Sequence, residues 1–243
     1  MLDTLISRPD CRAVSAQLSR SATDSGLYWT LSNAIHLADI STDAKCPMAP
    51  GYRLIRVDQR VSMNGAGFEI ALLNDVEASV VYYNRVEAAI IPQPTPRAAA
   101  QCFVWRSPEA RHAAVVREVA QSVFFNYIVE RYNVIVSDNQ EIGEGRFFWQ
   151  RLASTAIAYG LCVSYPRPAE NLQPIPTQEA LNELVDQLWG DAHEQEDHIL
   201  LISKPDRYSE VLNTSSEQAL QSKQVENRPA EEVTVLDAHV AST

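Results

Sequence analysis

Residues 99–166 alternate short apolar runs with amphipathic segments: AAQCFVWR (99–106), SPEARHAAVVREVAQSVFFNYIVERY (107–132), NVIVSD (133–138), EGRFFWQRLASTAIAYG (144–160) and LCVSYP (161–166). Pro108 suits a first helical turn, because its missing N–H would be unpaired there anyway. Val116, Val119, Val123 and Tyr127, with Phe124 and Ile128 beside them, recur at helical spacing and form one apolar stripe. Arg111, Arg117 and Glu118 fall away from it. The spacing predicts a helix over 108–132, closed by Asn133. NVIVSD is short, β-branched and bounded by polar residues, so it reads as a buried strand. Strand–helix–strand–helix–strand is the pattern of parallel pairing with helical crossovers, and it places the chain in the mixed α/β class.

Working outward toward the N-terminus, YRLIRVDQRVSM (52–63) and GFEIALLN (67–74) are strand-like runs joined through NGAG, a hairpin signal because Asn-Gly takes positive φ at little cost. ASVVYY (78–83) reads as a third strand after the turn NDVE, and RVEAAII (85–91) as a fourth. PQPTPRAAA then interrupts the sheet, since proline cannot donate to a ladder. Ahead of these, residues 26–40 carry Leu27, Leu31, Ala34, Ile35 and Ala38 at helical spacing and predict one short amphipathic helix, followed by the loop KCPMAPGY. On the C-terminal side, PRPAENLQPIP is a connector. TQEALNELVDQLWG (177–190) is a helix with Thr177 as N-cap, Gly190 as stop, and Leu181, Leu184, Val185 and Leu188 as its buried face. HILLISK is a last strand. Beyond Lys204 apolar density falls, and from about residue 212 onward disorder is expected. The reading divides the chain into a helical extension (1–49), a main domain (50–203) and a polar tail (204–243).

With 243 residues, 46% of them hydrophobic, the chain can bury a substantial core. A formal charge of −11 argues against direct nucleic-acid binding, which needs a basic face to neutralise phosphates. Cys11, Cys46, Cys102 and Cys162 are scattered, giving neither a disulfide framework nor zinc spacing; Cys102 and Cys162 lie in apolar runs and are expected to be small buried hydrophobes. His193 and His198 stand five apart, not the four that puts two imidazoles on one helix face, so no metal site is expected. The first residues lack a charged region followed by an apolar core, and no run approaches about 18 apolar residues, so a soluble cytoplasmic protein with no membrane contact is expected.

The order of elements resembles the GNAT N-acetyltransferase superfamily over about residues 50–203. In that fold a strand runs into a long helix whose N-terminal loop binds the pyrophosphate of coenzyme A; here the junction is CFVWRSPEARHAAVV (102–116). The stretch SDNQEIGEGRFFWQRL (137–152) stands where the family has a polar turn and a helix crossing the thiol end of the cofactor, and it is also similar to GNAT-like proteins often encoded by bacteriophages. The resemblance implies a GNAT-like mixed twisted sheet with helices on both faces, acetyl-CoA as cofactor, and acyl transfer to an amine by direct attack. It implies a phosphate cradle at Arg111, His112, Ala113 and Ala114, and a polarising backbone N–H on the strand before it, at Val104 and Trp105. Asp138 and Asn139 would line the cleft where two parallel strands splay, the competing role being helix capping. Glu69, alternating with Phe68 and Ile70, would be the general base; the competing reading is a solvated residue on an exposed strand face. Asp75 and Glu77 fall in a turn, where acids are common.

The departures matter as much. Residues 107–115 contain no glycine, although the family's pyrophosphate loop needs small residues so that backbone N–H groups approach phosphate. The family's thiolate-protonating tyrosine aligns with Trp149, while Tyr159 lies near the helix end. The helices usual between the first two strands are replaced by the NGAG hairpin. A second reading is therefore a GNAT-shaped protein that works by contact with a protein partner: a phage-encoded factor acting on host proteins in the host cytoplasm or in virion assembly, its acidic surface and polar tail suited to partner binding or nucleic-acid mimicry. The missing glycines and tyrosine favour the second reading; the strand–helix junction favours the first.

Overall fold

A computed structural model of the chain describes residues 25–60, 67–89, 91, 97–137, 145–166, 172–190 and 199–205, and gathers their apolar runs into one nine-stranded mixed sheet. The elements are α1 (Ser25–Ser32), β1 (Leu37–Asp39), β2 (Tyr52–Asp58), β3 (Gly67–Asn74), β4 (Ser79–Ala89), β5 (Ala99–Arg106), α2 (Ala113–Ser122), β6 (Asn133–Ser137), α3 (Gly145–Ala158), β7 (Cys162–Pro166), β8 (Leu172–Pro174), α4 (Gln178–Gly190) and β9 (Ile199–Ser203). A 3-10 turn (Ala110–His112) leads into α2, and a π-helical segment (Val123–Ile128) follows it. The strand order is β1-β2-β3-β4-β5-β6-β9-β7-β8. Neighbours from β1 to β5 are antiparallel, β5 and β6 are parallel, and β9 lies antiparallel to both β6 and β7.

Period-two alternation sorts the side chains onto two faces. Phe68, Ile70 and Leu72 of β3 join the larger core with Val116, Val119, Val123 and Tyr127 of the central helix and Leu181 and Val185 of α4. Ala71 and Leu73 turn the other way, into a smaller core with Tyr28 and Leu31 of α1 and Trp105 of β5. Helices thus cover both faces, and the apolar stripe expected on the central helix is the buried one. Arg53 ties α1 to the sheet: its Nε donates to Asp75 Oδ2 at 2.5 Å, and Tyr28 donates to Asp75 Oδ1 at 2.9 Å. Thr177 Oγ1 accepts from Ala180 N at 3.2 Å, the expected cap of α4. No helix of the described residues is long and apolar enough to cross a membrane.

Several expectations are corrected. The helix predicted over 26–40 ends at Ser32, and Leu37–Asp39 instead form β1, the edge strand paired to β2. The first hairpin strand stops at Asp58, because Gln59 takes φ of +63° and turns the chain. The two strands read at 78–83 and 85–91 are one continuous β4. The long helix begins after Glu109, whose ψ of 123° is extended, rather than at Pro108, and it ends at Ile128. Among the described residues only β5 and β6 pair in parallel: β9 enters between β6 and β7, so the second crossover leads to a strand that is not paired with β6. The proline-rich connector contains β8, paired to β7. Cys162 is exposed, not buried. Residues 64–66 of the NGAG turn, His193, His198, Leu188's side chain and the tail beyond 205 lie outside the described residues.

Gly51 has φ of +86°, and a Cβ there would stand 2.9 Å from Val76 Cγ2. Gly51→Ala is expected to cost about 1–2 kcal/mol in urea unfolding, and adding Val76→Ala should recover only the steric share, leaving the backbone strain. The Arg53 hydrogen bonds, then that of Tyr28, hold the Asp75 carboxyl below its ordinary range. A depressed carboxyl pKa adds stability that is present above the unfolded value and lost as pH falls through the folded one. Asp75→Asn should therefore flatten the stability–pH curve below about pH 5 while leaving its neutral-to-alkaline limb unchanged in slope.

Candidate ligand-binding cavity between α2 and α3

The site begins with a mismatch of strand lengths. β6 pairs with β5 only at Ala99–Gln101, against Asn133–Ile135. β5 continues to Arg106 with β4 on its other side, through the pairs Val104–Asn84, Trp105–Tyr83 and Arg106–Tyr82. Where β5 runs on alone, α2 and α3 cover the sheet and leave a cavity of about 500 Å³ between them, within the usual range for small-molecule sites.

Its floor is Tyr82 and Asn84 of β4 with Val104 and Arg106 of β5; its walls are Ala113, Val116, Arg117 and Ala120 of α2, Phe124 and Phe125 of the π segment, and Arg151, Leu152 and Thr155 of α3. The π segment has a direct role. Val129 N reaches back to Phe124 O at 3.0 Å, the i→i+5 bond of a π turn, so Val123, Tyr127 and Ile128 stay in the core while two consecutive phenylalanines face the cavity. Phe125 also packs against Tyr159 at 4.7 Å between ring centroids, and Tyr159 accepts a hydrogen bond from Gln121 Nε2 at 2.7 Å. Tyr159 therefore stands beside the cavity rim.

The floor carries buried polar groups. Asn84 is 1% exposed; its Nδ2 donates to Tyr82 Oη at 3.2 Å, and its Oδ1 is buried with no partner among the described residues. A buried carbonyl oxygen left unpaired costs free energy that a donor on a ligand would recover. Burial pushes the Tyr82 hydroxyl well above the ordinary phenol range, so it is neutral at physiological pH. Burial likewise pushes the Cys102 thiol up to about 12, which keeps it protonated and inert beneath Asn84.

The electrostatics of the walls oppose those of the whole chain. Three arginines and no carboxylate line the cavity, against a formal net charge of −11. Arg53, Arg56, Arg60, Arg85, Arg111 and Arg131 each pair with a carboxylate. The guanidinia of Arg117 and Arg151 make no ion pair or hydrogen bond with the described residues.

Of the residues singled out from sequence, Val104 and Ala113 line the cavity. Trp105 is on the opposite face, in the smaller core. Ala114 is exposed outside the lining. Arg111 and His112 are held away from the cavity by turn residues: Arg111 pairs with Glu77 at 2.8 Å and Glu109 at 2.5 Å, and buried His112 meets Tyr52 Oη at 2.8 Å through Nδ1 and Glu77 at 3.5 Å through Nε2. Asp138 and Asn139 lie outside the described residues, as do the side chains of Phe147, Phe148 and Trp149. Glu69 is not the solvated residue of an exposed strand face. It is 1% exposed, faces the smaller core rather than the cavity, accepts from Arg60 Nε at 2.6 Å, and also takes hydrogen bonds from Arg60 Nη2 and the Tyr83 hydroxyl. Sequence reasoning missed Asn84, Arg117 and Arg151. For the two arginines the signal was present, as polar positions on the helix flanks, but only the packing of α2 beside α3 sets them around one space.

Compared with protein-family models, curated proteins and solved structures, the chain matches none.

Because Glu69 is fixed on the far face, Glu69→Gln should lower stability by about 1–3 kcal/mol, the range for a buried charge-assisted hydrogen bond. It should leave ligand affinity in the cavity unchanged. Thermal melts and a binding titration on the same variant check both halves.

Proposed function

We propose that the chain is a GNAT-like protein that binds an acyl-coenzyme A in the α2–α3 cavity and transfers the acyl group to an amine. The observation that carries the reading is the divergence of β5 from β6 after three parallel pairs, with a cavity lying over the freed half of β5.

The cavity chemistry suits the ligand class. The long arm of coenzyme A is apolar in parts and carries amide N–H groups. Val116, Leu152 and Phe124 offer the apolar contact, and Asn84 Oδ1 offers an acceptor. In the transfer step the lone pair of a neutral amine attacks the thioester carbonyl, the C–S bond breaks, the thiolate leaves, and the ammonium proton passes to the thiolate or to water. No carboxylate or imidazole among the described residues lines the cavity. The reading therefore favours amines that are neutral without a protein base, such as α-amino groups with pKa near 7.7–8 rather than lysine side chains near 10.4.

One observation favours a second reading, a protein of this shape that works by contact with a protein partner. The first turn of the central helix, where the resemblance puts the phosphate cradle, is occupied by Glu77 and Glu109 holding Arg111. Calorimetric titration with acetyl-CoA separates the two. Measurable binding, weakened about fivefold or more by Asn84→Leu, which removes a hydrogen bond worth about 1 kcal/mol, and abolished by Ala120→Trp, which fills the cavity, is the expected result. A flat titration at millimolar ligand with correctly folded protein would exclude the transferase and leave the contact reading.

A further inference from the structure

An acyl-coenzyme A brings a diphosphate, and the start of the central helix is poorly equipped to receive one. The helix start does expose backbone N–H groups. However, two carboxylates, Glu77 and Glu109, already stand there, and the cation beside them, Arg111, is committed to both. A diphosphate arriving at that turn would meet like charge and a loop without glycine. The uncommitted cations lie elsewhere. Arg117 is farther along α2, Arg151 is on α3, and both line the same cavity with exposed side chains. Arg53, Arg56, Arg60, Arg85, Arg111 and Arg131 are held by carboxylates, whereas these two line an opening with no acid among the described residues. The cavity floor adds an independent sign of a missing ligand, the buried and unpartnered Oδ1 of Asn84.

We propose that Arg117 and Arg151 form a clamp across α2 and α3 for a diphosphate group, the role that the resemblance gave to the helix start. As the site of a coenzyme A diphosphate the clamp rests on the acyl-coenzyme A reading; as an anion site it rests only on the two guanidinia and the cavity. Each guanidinium presents a planar fork that matches phosphate oxygens in pairs. Being exposed, each contributes modestly, and the two together set the affinity.

The test uses the full chain and three probes at low salt: inorganic pyrophosphate, acetyl-CoA, and S-acetylpantetheine, which has no phosphate. Pyrophosphate is expected to bind, with Arg117→Ala and Arg151→Ala each weakening it about fivefold and the double variant about twenty-five-fold. Arg111→Ala should leave that affinity unchanged. Acetyl-CoA should follow the same order, and acetylpantetheine should be indifferent to all three substitutions. Unaltered melting temperatures, expected for exposed side chains, exclude unfolding, and Arg117→Gln with Arg151→Gln repeats the result without shortening the side chains. Pyrophosphate that fails to bind the wild type, that binds the double variant equally well, or that is lost on Arg111→Ala overturns the clamp. Pyrophosphate binding that responds to the double variant while acetyl-CoA does not bind at all would uphold the clamp, assign it to a free diphosphate, and remove the acyl-coenzyme A reading alone.

Discussion

The structure depends on where β6 stops following β5. β6 is pulled between two neighbours: β5 holds it at three residues, whereas β9 holds it at four, from Val134 to Ser137. Past Ile135 the strand goes with β9. Among the described residues the edge of β5 from Cys102 onward then has no strand partner on that side, although the strand is in the interior of the sheet and covered by helices. Backbone N–H and C=O groups in such a place need water or a ligand. An ordinary close-packed crossover would have no room for either. Here the π segment lengthens the turn after α2, and the space above β5 remains open.

Charge is distributed to match. The chain is strongly acidic, and among the described residues several acids hold arginines: Glu69 holds Arg60, Asp75 holds Arg53, Asp58 holds Arg56, Glu77 and Glu109 hold Arg111. Most of these pairs are partly exposed and individually contribute little to stability. Their joint effect is to leave the cavity walls as a place where positive charge is not cancelled locally. A formal net charge of −11 over the whole chain thus coexists with a cavity lined, among the described residues, by arginines and no carboxylate.

How much of this was legible varies with the range of the interaction. The β5–α2–β6 crossover could be read because its signals are local: a stripe of Val116, Val119, Val123 and Tyr127 at helical spacing, and a β-branched strand directly after. The smaller core could not be read as well. Leu37 and Ala38 continue the helical spacing of residues 26–40, yet they pair with Val57 and Arg56 as a strand; an edge position on β2 outweighs a weak local preference. Glu69 shows the limit for sites. A carboxylate alternating with Phe68 and Ile70 must face away from them, but whether that face meets solvent or a second core depends on α1, some forty residues earlier. Asn84 was invisible for the same reason. Nothing in VVYYNRVE marks which polar residue will be left with an unpartnered acceptor.

The phase of β4 decides which residues serve the core and which serve the cavity. Strict alternation would put Val80 and Tyr82 on one face and Val81 and Tyr83 on the other. The register between β3 and β4 slips by one residue there: Leu72 pairs with Tyr82, but Leu73 pairs with Val80. The extra residue, Val81, joins Tyr82 in the larger core, and Val80 and Tyr83 both fall in the smaller one. This is the action of a β-bulge, which re-aims side chains beside a site. Beyond it alternation resumes, and Tyr83 donates to Glu69 on one face while Tyr82 and Asn84 form the cavity floor on the other. The displaced backbone is used as well: Val81 O accepts from Ser107 N at 2.9 Å, fixing where β5 ends and the turn toward α2 begins. A regular β4 would put Val80, Tyr82 and Asn84 on one face and Val81 and Tyr83 on the other, taking Val80 out of the smaller core and Val81 out of the larger one. The bulge therefore couples the stability of the α1 face to the shape of the opposite one, although no side chain reaches from one to the other.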